Sequence, residues 1–293
     1  MSAKTKQRSI LFKFLSIFSV VRGYNVLLIV FAQYLTSIFI LSEKTYFEVL
    51  FDKSLFLIIC CSSLSIASGY IINNFYDKEK DLINKPVKYK IDDLVNNATQ
   101  LRFYFFLNFI VVLIASFISL RAVLFFSVYI FFLWFYSHKI KRLVFLGNLF
   151  YSLLTVTPFF AILLYFKNID VIIIAYALFL FFMLLLKDIT KDLKNLKGDF
   201  SLDYKTIPVV FGESFTKAIL SLIAFINIFL LFNLYFNFSK GYMTIFYGLS
   251  LILLLVFLIK LFLSKKVSDY LFLHNILRFI ITFGVLSIVF IGL

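Results

Sequence analysis

Residues 73–81 read NNFYDKEKD, and residues 187–199 read KDITKDLKNLKGD. Asn74, Asp77 and Asp81 in the first stretch match Asp192, Asn195 and Asp199 in the second, each set spaced i, i+3, i+7. At 100° per residue these offsets fall within an arc of about 60°, so each triplet projects from one face of a helix. Asp188, four residues before Asp192, joins the second face, whereas Lys191, Lys194 and Lys197 point elsewhere, which argues against a simple i, i+4 salt-bridge ladder. Carboxylates gathered on one helix face repel unless a cation or a proton holds them, and desolvation near a bilayer raises that cost. Hard oxygen ligands, one or two from each helix with water completing the shell, are what Mg²⁺ takes when it also binds a phosphate. The paired clusters therefore suggest a Mg²⁺-bridged diphosphate, to which Asn offers a carbonyl oxygen but no charge. Solvated loops account for either triplet alone. Two matching triplets at equivalent helix ends on one side favour chemistry.

The elements that must position these residues are membrane helices. The chain of 293 residues is 62% hydrophobic, 20% aromatic and 15% charged, with mean hydropathy +1.01, too apolar to cover a water-soluble surface. Its apolar runs are continuous rather than alternating and have the length that about 30 Å of hydrocarbon requires of an α-helix, which excludes a barrel. Nine spans are predicted, near 22–41, 54–74, 101–119, 122–136, 145–166, 169–187, 215–237, 242–263 and 271–292. Lys and Arg crowd the segments before span 1 and after spans 2, 4, 6 and 8, while the other side holds only Lys44, Lys53, Arg121, Lys167 and Lys240. That asymmetry puts the N-terminus and both acidic motifs on the cytoplasmic side.

The expected fold is thus an all-α integral membrane protein, nine transmembrane helices in a single bundle. The motifs recur 118 residues apart, which suggests two related four-helix halves plus one further helix; spans 2 and 6 run in the same direction, so the halves are not inverted. Residues 1–293 form one membrane domain, with a cytoplasmic or interfacial segment at 1–21 and cytoplasmic motif loops at 75–100 and 188–214. Lys4, Lys6, Arg8 and Lys13 precede apolar residues, but no small-x-small cleavage site follows, and residues 10–21 read as an interfacial helix rather than a signal peptide. The net charge of +14 is mostly this topology signal, helped by attraction to anionic lipid; dispersed over membrane-facing loops, it excludes a nucleic-acid partner. Adjacent Cys60 and Cys61 are packing residues, and His138 and His274 are too few and scattered for a haem or zinc site.

The two motifs resemble those of the UbiA superfamily of intramembrane prenyltransferases, N-D-x-x-D-x-x-x-D and D-x-x-D-x-x-x-D, matched by Asn73, Asn74, Asp77, Asp81 and by Asp192, Asn195, Asp199. Further matches are INKP at 83–86, LGN at 146–148, KTIPVVFG at 205–212, and Arg22 and Asn25 in RGYN, where Gly23 replaces the proline of R-P-x-N. Asn74 and Asn195 stand where the family has Asp, which leaves each cluster one carboxylate short, with Asp188 as a substitute ligand.

The resemblance implies that Asp77, Asp81, Asp192 and Asp199, with Asn74 and Asn195, hold Mg²⁺ and the diphosphate of an allylic isoprenoid. Loss of the diphosphate leaves an allylic cation, which a lipophilic acceptor captures while the apolar bundle and aromatic faces exclude water and stabilise charge. Tyr136, Lys139 and Lys141 match a loop that carries Tyr and Lys in the family and, with Arg22, Asn25, Asn73, Lys85, Asp188 and Lys205, are assigned to substrate. The second motif is most similar to the branch of geranylgeranylglyceryl phosphate geranylgeranyltransferases, whose acceptor is a lipid hydroxyl. Aromatic, quinone-precursor and tetrapyrrole acceptors are alternatives, as is a transporter or lipid-binding protein. No obligate protein partner is implied.

Overall fold

The computed structural model describes residues 15–238 and 242–292. Among the described residues, nine helices are long and apolar enough to cross a membrane and no strand occurs. They are α1 (Gly23–Thr36, continued by a π-helical turn Ser37–Leu41), α2 (Lys53–Tyr76), α3 (Asn97–Ser116), α4 (Leu120–His138), α5 (Leu146–Phe166), α6 (Val171–Ser201), α7 (Ile207–Phe238), α8 (Met243–Leu263) and α9 (Val267–Ser287). The chain is an all-α, multi-pass integral membrane protein. Large apolar side chains such as Phe105, Phe109, Phe229 and Ile259 are exposed, as lipid-facing residues are in a bilayer.

Two helices depart from the expected bounds. The segment 188–214, expected as a loop, is helical through Ser201 as the end of α6. There the apolar run ends but the amphipathic pattern continues: Ile189 and Leu193 pack into the core while the acidic residues take the adjoining face. Likewise α7 starts at Ile207 rather than near 215, but Gly212, with φ 79° and ψ 176°, breaks it into a short N-terminal turn and the main helix. Within 75–100, two short helices, Lys78–Asn84 and Pro86–Asp92, replace most of the expected loop. Of the N-terminal segment 1–21, residues 15–20 are helical and 1–14 lie outside the described residues.

The chain divides into two compact units, Met1–Val30 with Lys53–Lys139, and Phe31–Asp52 with Ile140–Leu293. In the first, α2 is the most enclosed spanning helix, because Cys61, Ser62, Ser65, Ala67, Ser68 and Gly69 let neighbours approach closely. A Cβ on Gly69 would stand 3.1 Å from Leu133 of α4. Val20, Ala67, Ile71, Ile72, Tyr104 and Leu107 form the core that carries the first motif. In the second unit Met183, Leu186, Ile189 and Leu193 of α6 pack among Leu220 and Ala224 of α7, Leu254 and Phe257 of α8, and Leu273 and Leu277 of α9. Enclosed by these helices, α6 carries the second motif on a rigid support.

Candidate functional site

In the first unit the helical hydrogen-bond ladder survives the end of α2. Asp77 N–H donates to Asn73 O at 2.9 Å, Asp81 N–H to Asp77 O at 2.8 Å and Lys85 N–H to Asp81 O at 2.8 Å. Asn73, Asp77, Asp81 and Lys85 therefore stand in one column. Asn73 Nδ2 donates to Asp77 Oδ2 at 3.0 Å. Asp81 is buried and accepts from Lys85 Nζ at 2.9 Å, with Lys88 Nζ at 3.7 Å from its other oxygen. Lys85, expected on substrate phosphate, is thus the partner of Asp81, because four residues on a helix bring the two side chains together.

Lys88 links the motif to residues that the spacing argument left out. It donates to Asn74 Oδ1 at 3.1 Å and pairs with buried Asp92, which also accepts from Ser19 Oγ at 2.6 Å. Buried Gln100 accepts from Asn74 Nδ2 at 3.4 Å and donates to Val95 O at 2.9 Å. Asn74, Asp81, Asp92 and Gln100 line a polar pocket of about 10 Å³ with room for one water. The i, i+4 pair Lys88–Asp92 was a readable signal, hidden by assigning the segment to a loop.

Arg22 has φ 50° between the 15–20 helix and α1, and its guanidinium lies 4.8 Å from the centroid of the Tyr70 ring. Asn25 closes the first turn of α1, its N–H donating to Arg22 O at 2.7 Å. A Cβ on Gly23 would come within 2.1 Å of the Phe18 ring, which accounts for glycine here. Tyr136 is half-buried in the last turn of α4, and exposed Lys139 ends that helix with its N–H on Phe135 O.

In the second unit Asp188, Asp192, Asn195 and Asp199 share one face of α6 and are 3%, 4%, 3% and 0% exposed. Asn148 Nδ2 donates to Asp188 Oδ2 at 2.9 Å and to Asp192 Oδ2 at 2.7 Å. Two carboxylates converge on one amide nitrogen. Lys191 Nζ pairs with the other oxygen of Asp188 and lies 5.1 Å from the Tyr151 centroid. Asn148 is placed by its neighbour: a Cβ on Gly147 would sit 3.1 Å from Lys141 O, so only glycine lets the turn Ile140–Arg142 press against the start of α5. Lys141 meets the site through this backbone contact, its side chain half-buried. Lys205 is exposed, and its N–H donates to Arg142 O at 3.1 Å, which ties the segment after α6 to the same turn.

Among the described residues no three His, Cys, Asp or Glu side chains are arranged to hold a metal ion. The donors nevertheless fit magnesium, which keeps several waters and takes one or two carboxylates together with substrate phosphates. Asp188 and Asp192 already aim oxygens at one positively polarised nitrogen, the arrangement that a small divalent cation requires of its first two ligands.

A model of the UbiA prenyltransferase family matches residues 20–286. A digeranylgeranylglyceryl phosphate synthase of Thermococcus gammatolerans is 31% identical over 162 residues, 55% of this chain and 58% of the relative, so the match spans under two thirds of that protein. In fold, the chain is similar to the structure of a digeranylgeranylglyceryl phosphate synthase, with TM-score 0.70 at 20% identity over 96% of this chain and 99% of the other. It is also similar to a UbiA homologue of Archaeoglobus fulgidus bound to DMAPP and Mg²⁺, with TM-score 0.66 at 15% identity over 93% and 99%.

Proposed function

Given that the chain belongs to the UbiA prenyltransferase family, we propose that it transfers an isoprenoid group from a prenyl diphosphate to a lipophilic acceptor, a lipid hydroxyl of the geranylgeranylglyceryl phosphate kind. The bond from C1 to the diphosphate oxygen breaks, the acceptor oxygen forms an ether bond to C1, and the hydroxyl proton is released. The observation that carries this reading is the convergence of buried Asp188 and Asp192 on Asn148. The same acid spacing recurs at Asp77 and Asp81. The family likeness and the Thermococcus relative support the donor and acceptor classes.

Asp188, Asp192 and Asp199, and separately Asp77 and Asp81, are the residues we assign to magnesium, with Asn74 and Asn195 as neutral oxygen donors. Magnesium bound there supplies charge neutralisation for the departing diphosphate. Asn148 orients the two carboxylates of α6, Lys191 holds Asp188, and Lys85 and Lys88 hold Asp81. Arg22, Asn25, Asn73, Tyr136, Lys139, Lys141 and Lys205 are assigned to substrate. The motif ends lie on the cytoplasmic face, as the Lys/Arg asymmetry indicates, and the whole chain acts as one membrane domain.

The test is mass spectrometry of products from purified protein with Mg²⁺, geranylgeranyl diphosphate and a panel of acceptors: geranylgeranylglyceryl phosphate, dihydroxynaphthoate, hydroxybenzoate and haem. A prenyl ether of the glyceryl phosphate, absent with Asp77→Ala or Asp192→Ala variants that remain inserted and folded, is expected. An aromatic or tetrapyrrole product would overturn the acceptor assignment, and full activity in either variant would overturn the metal assignment.

A further inference from the structure

The two motifs do not offer a divalent ion the same reception. On α6 the oxygens of Asp188 and Asp192 converge on a neutral amide, with Lys191 on the far oxygen of Asp188. In the first motif the point of convergence already holds a cation. Lys88 Nζ donates to Asn74 Oδ1 at 3.1 Å, lies 3.7 Å from Asp81 Oδ2 and pairs with Asp92 Oδ2. An ammonium group has three protons to give, and these three oxygens surround them. The other oxygen of buried Asp81 accepts from Lys85 at 2.9 Å, so both oxygens of that carboxylate face lysines.

Pro86 puts Lys88 there. In an unbroken helix Lys88 would stand about 21 Å beyond Asn74, fourteen residues at about 1.5 Å each. Proline lacks the N–H and disfavours the α conformation of the residue before it, so the helix Lys78–Asn84 ends and Lys85 takes φ −144° and ψ 59°. The following helix, Pro86–Asp92, turns back toward the end of α2. Asp92, four residues after Lys88, is buried and fixed by Ser19 Oγ at 2.6 Å, and its second oxygen aims the ammonium at the motif.

Magnesium competes poorly for that place. It takes oxygens at about 2.0–2.1 Å and keeps several waters, whereas the space beside Asn74, Asp81 and Asp92 is about 10 Å³, room for one water. Buried Asp81 and Asp92 are matched by Lys85 and Lys88, so these four side chains carry no net charge to draw a divalent ion in. Asn74, neutral where the second motif has Asp192, adds none.

We propose that Lys88 is the resident cation of the first motif and keeps Mg²⁺ away from Asn74 and Asp81 until a diphosphate brings further negative charge and oxygens of its own. The chain alone then holds one divalent ion, at the acids of α6, and the first motif takes a second only together with the donor. This rests on the transferase reading above and gives it an order of loading.

The test counts metal rather than product. Mn²⁺, which suits the same oxygen ligands, is counted by electron paramagnetic resonance on the full chain in nanodiscs of zwitterionic phosphatidylcholine. The wild type should bind one ion per chain alone and two with geranylgeranyl S-thiolodiphosphate, an unreactive donor analogue. Lys88→Met should bind two without the analogue, the second at least about tenfold more tightly than in the wild type, the scale of one charge-assisted contact. Lys88→Arg, which keeps the charge, should remain at one. Removing Lys88 leaves a buried carboxylate unmatched; where that variant fails to fold, Lys88→Met combined with Asp92→Asn removes the pair together and should show the same second ion. Two ions on the wild type without the analogue, one ion with it, or a second ion that loss of Lys88 does not tighten would each overturn the proposal. No ion on any of these proteins under either condition would be a different result, overturning the metal assignment on which the proposal rests.

Discussion

Asn148→Ala removes the one amide that serves two buried carboxylates. Its Nδ2 lies 2.9 Å from Asp188 Oδ2 and 2.7 Å from Asp192 Oδ2, and the two aspartates are only 3% and 4% exposed. A hydrogen bond to a charged group is worth about 1.5–3 kcal/mol, so losing two at the low end of that range costs about 3 kcal/mol. Lys191 still neutralises Asp188, which leaves Asp192 to bear most of the loss. A divalent cation can replace the amide as the common partner of both oxygens. Equilibrium unfolding in mixed micelles should therefore show a loss of about 3 kcal/mol in EDTA, with at least half of it restored by millimolar Mg²⁺. Asn148→Asp, which adds a third carboxylate at the same place, should lose more in EDTA and regain more with Mg²⁺. A loss below about 0.5 kcal/mol in EDTA, the range of an ordinary surface substitution, would refute the reasoning, as would a loss that no concentration of Mg²⁺ alters.

Asn74→Asp exchanges the hydrogen bond to Gln100 for a full charge beside Lys88, so turnover should persist within a few-fold and reach half its maximum at lower Mg²⁺ in a metal titration of the rate. Complete inactivation would instead assign the Asn74 amide a role that a carboxylate cannot fill. Gly147→Ala places a Cβ 3.1 Å from Lys141 O, a contact with backbone that cannot swing aside. Overpacking of this kind costs about 1–3 kcal/mol, and it should lower Mg²⁺-dependent turnover together with thermal stability because the displaced helix start carries Asn148.

Much of this molecule could be read without coordinates because a bilayer leaves few choices. Continuous apolar runs must close their own backbone hydrogen bonds, so helices were legible, and the recurrence of Asn74, Asp77, Asp81 as Asp192, Asn195, Asp199 marked two helix faces as candidates for chemistry. Bounds were legible only where hydropathy and helicity end together. They part at α6, whose polar residues continue the helix to Ser201 because Ile189 and Leu193 still have a core to enter. The same blindness hid Asp92 and Gln100, which looked like loop residues until the short helix Pro86–Asp92 turned the first inward and the first turn of α3 the second.

By itself the sequence determined the class of fold, the number of spans and which residue types could meet a cation, since each follows from local periodicity and the dielectric of the membrane. It did not determine the partners. Asn148 lies 40 residues from Asp188 and 44 from Asp192 along the chain, and His274 comes within electrostatic range of Lys187, Lys191 and Lys194 of α6 only through the packing of α9. Those pairings depend on how helices dock, through contacts such as Gly147 against Lys141 O. No spacing rule encodes them, because a helix repeats its own geometry but carries no record of its neighbour's.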